Sequence, residues 1–148
     1  MIRPAMAEET ERLLRRLILA LLSFGLVALA GELAAIGHYE DAWQVVPLGL
    51  IAMTLGVIGW HAAAGGDRGL TALRILLVLI IAAGLLGIVL HYRANLEFQL
   101  EMNPNLRGWT LFARVLHAIA PPALAPGVMT QLGLLGLIYT YKHPAGRG

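Results

Sequence analysis

Apolar residues run almost unbroken through four stretches of the chain, at 17–36, 45–64, 73–90 and 124–141. Each is close to the ~20 residues a helix needs to cross ~30 Å of hydrocarbon at 1.5 Å per residue. Polar residues collect between these stretches and at the two ends. The pattern predicts an all-α polytopic membrane protein: a single domain over 1–148, built as a four-transmembrane-helix bundle. The first two connections are short, so the first three spans form an antiparallel up-down-up run. Gly65-Gly66-Asp67-Arg68-Gly69 reads as a tight turn. No breaker stands between Leu73 and Asn103-Pro104, so the third helix is expected to continue to about Met102 and project beyond the hydrocarbon.

The periodicity changes between spans three and four. Over 106–120, Leu106, Trp109, Phe112, Ala113, Leu116 and Ile119 recur at helical spacing, and Arg107, Thr110, Arg114 and His117 fall on the other face. This predicts an amphipathic helix lying in the membrane interface, ended by Pro121-Pro122. Small residues punctuate every span, among them the pairs Ala52/Gly56 and Ala83/Gly87, whose spacing lets backbones approach closely. These faces serve either internal packing or association with other membrane subunits or a second copy.

Composition agrees with a bilayer partner. Hydrophobic residues make up 58% and charged residues 14%, against soluble averages of about 45–50% and about 25%. The net charge is only +2 and its basic residues sit at span ends, which argues against a nucleic-acid partner. Cysteine is absent, which excludes disulfides, thiolate metal sites and cysteine nucleophiles. Arg15-Arg16, the apolar run and Ala28-Leu29-Ala30 resemble a signal peptide, but the run continues to Ile36 and is expected to be a full span.

Basic residues set the orientation. Arg3, Arg12, Arg15, Arg16, Arg68, Arg74, Lys142 and Arg147 lie on one side, and Arg93, Arg107 and Arg114 on the other. The positive-inside rule puts both termini in the cytoplasm and 92–123 outside, as in an inner membrane of bacterial type.

Chemistry is expected at the outer rim. Five of the nine acidic residues (Glu32, Glu40, Asp41, Glu97 and Glu101) fall there with His38, His91 and His117. Glu32 lies within a span, where an ionisable side chain is by default a functional candidate, here a proton or cation relay. His38, His91 and Glu97 are the candidate ligands for a divalent metal, since imidazole and carboxylate suit zinc, manganese or iron. Their spacing is not diagnostic: Glu32 and His38, like His91 and Glu97, are six residues apart and about 120° apart around a helix. Haem is disfavoured, because carboxylates surround the one histidine pair at matched depth. Ser23 is the one serine, so no serine triad is available. Two functions fit: a non-catalytic accessory or structural subunit of a membrane complex, or an oligomeric small cation or proton transporter or channel with Glu32 and the outer His and Glu residues at its mouth.

Overall fold

In a computed structural model that describes residues 2–118 and 124–144, the chain forms α1 (Ile2–Ala35), α2 (Ala42–Ala64), α3 (Gly66–Met102), α4 (Gly108–Leu116) and α5 (Leu124–Thr140). No strand occurs among the described residues. Three helices, α1, α2 and α3, are long and apolar enough to cross a membrane; α5 is apolar but shorter, with 17 residues.

The helix ends follow from local chemistry. Gly37 takes φ +71, its N–H donates to the Ala34 carbonyl, and the His38 N–H reaches back to Leu33 at 2.8 Å, closing α1 in a Schellman motif. One Asp41 carboxylate oxygen accepts from the N–H groups of Trp43 and Gln44 at 2.8 and 3.0 Å and caps α2. Gly65, at φ +63, donates to the His61 carbonyl and is the single residue between α2 and α3.

Three boundaries differ from the sequence expectation. Helix α1 begins about four turns earlier, supported by the Glu11–Arg15 pair at i,i+4. Helix α3 absorbs Asp67, Arg68 and Gly69, so the expected five-residue turn contracts to Gly65. Helix α4 covers only Gly108–Leu116, because the extended Arg107 and the positive φ of Gly108 delay its start. The expected Pro121-Pro122 stop lies outside the described residues. The far end of α3 at Met102 agrees with the expectation.

Four helices close a ring in the order α1, α2, α3, α5. Neighbours in that order approach closely, while the diagonal pairs α1/α3 and α2/α5 keep more than 8 Å between their Cα atoms. The α3/α5 seam is the most extensive and α1/α2 the thinnest. The interior rests on alternating three- and four-residue steps: Leu22, Leu26, Leu29 and Leu33 on α1; Ile51, Thr54, Ile58 and His61 on α2; Leu70, Leu73, Leu77, Ile80 and Gly84 on α3. That 3.5-residue repeat keeps one stripe of each helix on the axis of a near-parallel bundle. The outside is apolar too: Phe24 is 72% exposed, and Val27, Met53, Ile75, Leu85 and Ile138 also face outward.

The glycines divide cleanly. A methyl group at Gly84 would lie 2.7 Å from the Pro126 carbonyl oxygen and 2.9 Å from the Thr130 nitrogen. Gly133 and Gly136 likewise face Leu77, and Gly25 faces Leu132. On α2, Gly49, Gly56 and Gly59 meet nothing within 4 Å and point away from the bundle.

This division generates a prediction. Gly84→Ala collides with backbone atoms and should destabilise the bundle by about 1–3 kcal/mol, despite alanine's better helix propensity. Gly56→Ala adds a methyl to open space and should be neutral or stabilising by up to about 1 kcal/mol. Thermal unfolding of both variants in mild detergent measures the contrast; equal melting temperatures would refute the packing.

Candidate functional site

Polar side chains concentrate at the two ends of the ring. The distal end carries the turn after α1 together with α4. The proximal end carries Gly65 and the end of α5.

At the distal end the four ring helices enclose an open cleft of about 570 Å³. Its walls are apolar, from Leu29 and Leu33 on α1, Pro47 on α2, Leu86 and Leu90 on α3, and Met129 on α5. Glu32, His38 and His91 all line it, together with Trp43 and Gln44. Three sequence candidates from three different segments are thus brought to one chamber. The His38 and His91 rings are 6.0 Å apart with planes within 26° of parallel. Glu32 has no ion pair or hydrogen bond with its side chain among the described residues. Glu97 does not join the group: it is exposed on α3, beyond the cleft, and forms no ion pair with Arg93. Among the described residues no set of three or more His, Asp or Glu side chains is placed to hold a metal ion. The six-residue spacing of His91 and Glu97 explains why those two do not converge.

Helix α4 folds back onto the distal part of α3. It buries Leu106 and Val115, and the Asn95 amide approaches the Val115 carbonyl at 3.5 Å. The covered residues are Leu106, from the expected apolar arc, and Val115, from outside it. Trp109, at 78% exposure, Phe112 and Leu116 remain uncovered, with Trp109 and Phe112 packed ring to ring at 5.2 Å. Arg107, Arg114 and His117 are exposed on the polar side, as their spacing requires. The Arg107 guanidinium donates to the Pro104 and Leu106 carbonyls at 2.7 Å, and His117 Nδ1 donates to the Ala113 carbonyl at 2.8 Å.

The proximal end holds a cluster that sequence reasoning left unassembled. Buried His61 faces the Tyr139 hydroxyl at 3.1 Å through Nε2, and its ring packs 5.3 Å from His143. Its Nδ1 is buried without a hydrogen-bond partner, against Gly69 of α3. Two arginines grip the end of α5. Arg15 from α1 donates to the carbonyls of Tyr139 (2.8 Å), Tyr141 and Lys142, and Arg74 from α3 donates to Thr140 at 2.8 Å. These carbonyls have no helical N–H left to bind, and they form the negative end of the helix dipole. Charge-assisted bonds of this kind are worth about 1.5–3 kcal/mol each. The exposed Glu11–Arg15 pair is worth less, about 1 kcal/mol at most. The available signal was the pair of arginines at the inner ends of spans one and three, which the charge count had treated only as topology markers.

The same cluster sets a pH dependence. Burial, and then the positive charges of Arg15, His61 and Arg74, hold the His143 imidazole below its ordinary value near 6.5, with Glu11 opposing weakly. A depressed histidine favours the docked state while neutral. That contribution is complete above about 6.5 and is lost as pH falls toward the lowered docked value. Acidification from pH 8 to pH 5 should lower the melting temperature, and His143→Gln should flatten that slope. A slope unchanged by the substitution would place the pH response elsewhere.

Neither family models, curated proteins nor solved structures match this chain, so what its two ends can do rests on their own chemistry.

Proposed function

We propose that the protein is an integral membrane protein with four spans, α1, α2, α3 and α5, and that it acts as a non-catalytic accessory or structural subunit of a larger membrane complex. Helix α5 measures about 26 Å, the short end of what spans a bilayer. It is carried across by its long seam with α3. Both termini are cytoplasmic, and α4 rests in the outer interface with Trp109, Phe112 and Leu116 toward lipid.

The observation that carries the accessory role is the sealed midsection. Leu22, Leu26, Ile51, Leu73, Leu77 and Ile80 are fully buried between the two polar ends. Thr54 is buried among them, and its hydroxyl is spent on the Leu50 carbonyl. Among the described residues nothing polar links Glu32 to His61, so a single copy supplies no ion path. Helix α2 meanwhile presents Gly49, Ala52, Gly56 and Gly59 outward, the small-residue surface on which another helix packs closely. The second reading, an oligomeric cation or proton transporter, draws on the unpaired Glu32 at the distal cleft and would need its path between copies.

Gly56→Leu, which fills open space on the outer face, should leave thermal stability intact and strip a stoichiometric partner from protein extracted in mild detergent. Retention of the same partner by Gly56→Leu would remove α2 as the docking face. Proteoliposomes under a proton or cation gradient separate the two readings. Flux above empty liposomes that disappears in Glu32→Gln would replace the accessory role with transport.

Orientation has its own check. Cysteines placed at Asp67 and Asn105 should respond oppositely to an impermeant thiol reagent in intact cells, with only Asn105→Cys labelled. Labelling of Asp67→Cys alone would invert the topology.

A further inference from the structure

The distal cleft combines three properties that together specify a class of ligand. Its volume, about 570 Å³, is that of a small-molecule site, which typically runs about 300–1,000 Å³. Its walls are hydrocarbon. Among the described residues that line it, Glu32 is the one acid, and no Lys or Arg is there to balance it.

We propose that this cleft binds a hydrophobic monocation, with the apolar body between α1, α2, α3 and α5 and the positive charge against the Glu32 carboxylate. The choice among ligand charges follows from electrostatics. An anion would meet Glu32 in an apolar enclosure with no cation to offset the repulsion. A neutral apolar molecule would strip water from the carboxylate and leave it unpaired, a costly outcome. A cation takes the place of that water and gains a charge-assisted contact. Small inorganic cations fit poorly, since they require several oxygen ligands and the walls offer hydrocarbon. Trp43, 70% exposed at the rim, supplies an aromatic face that attracts a cation, and the imidazoles of His38 and His91, where unprotonated, present ring nitrogens that accept hydrogen bonds.

The cleft is closed below. Leu26, Leu77 and Ile80 are fully buried beneath it, so a bound molecule stays at the distal end and does not pass through one chain.

The test uses the purified full chain in nonionic detergent. Tetraphenylphosphonium and tetraphenylborate share a shape and differ in the sign of their charge. Equilibrium dialysis of each, against protein and against empty micelles, isolates the charge. Saturable, equimolar binding of the phosphonium is expected, with the borate at the level of empty micelles. Glu32→Gln should weaken phosphonium binding at least tenfold. It should fold normally, because Glu32 has no ion pair or hydrogen bond with its side chain among the described residues. Ala94→Trp keeps the carboxylate but fills the mouth of the cleft and should also abolish binding, with circular dichroism and melting confirming the fold of both variants. Phosphonium uptake no greater than that of empty micelles overturns the proposal. So do equal uptake of the two ions, a change of less than twofold in Glu32→Gln, and full binding by Ala94→Trp.

Discussion

Everything in this bundle depends on how closely α5 can approach α3. In water, apolar side chains would drive helices together. Against lipid tails, the surroundings that three helices of this length and hydropathy suit, that drive vanishes and helices hold by contact alone. Contact is made where side chains are missing: Gly84 receives the backbone around Pro126 and Thr130, and Gly133 and Gly136 receive Leu77. A seam of larger residues would push α5 outward. Leu132 would then leave Gly25 of α1, and the ring would lose its closure. The arginines at the proximal end work toward the same result by another force. Arg15 and Arg74 come from the two helices that flank α5, and they bind successive carbonyls at its end. Steric fit fixes the height and rotation of α5, and charge fixes its terminus.

Polar groups occupy the two ends of the ring for one physical reason. A buried backbone or ionisable group needs a partner, and the hydrocarbon between the ends provides none. Thr54 and Ser23 in the middle of the bundle satisfy themselves on carbonyls one turn back. His61 is the exception, with one ring nitrogen paired to Tyr139 and the other left facing Gly69.

Much of this was legible in the sequence, because hydropathy and helix length are local properties. The run from Leu73 to Met102 lacks any breaker, and its helical end followed directly. Helix starts were less legible. The segment before residue 17 is too polar to look like a span, yet Glu11 and Arg15 support a helix there. The apolar arc of α4 was legible, but its seat on α3 was not, because Val115 lies outside that arc. Packing on α3 selected Leu106 and Val115 and left Trp109 and Phe112 uncovered. At the distal site, matched depth was enough to bring His38 to His91, whereas Glu97 was grouped with them by proximity in sequence although helical rotation turns it away. The proximal cluster joins residues up to 127 positions apart, and no local pattern announces it.

The ring is a closed meander in which each helix packs on its sequence neighbour and α5 returns to α1, and this bears on how the protein is made. The backbones of α1 and α3 keep more than 8 Å between their Cα atoms, and each needs α5 to complete its inner face. Yet α5 leaves the ribosome after the other three, at a synthesis rate of about 5–20 residues per second. For the seconds between α3 and α5, the chain is an unfinished arc with the Leu77 and Leu132 slots empty. The single-residue link at Gly65 keeps α2 and α3 paired through that interval, whereas α1 hangs on the thinnest seam of the four. A nascent bundle of this shape is most open to chaperones, proteases and premature partners just before α5 arrives, and Arg15 and Arg74, already in place at the proximal ends of α1 and α3, are the catch that ends the wait.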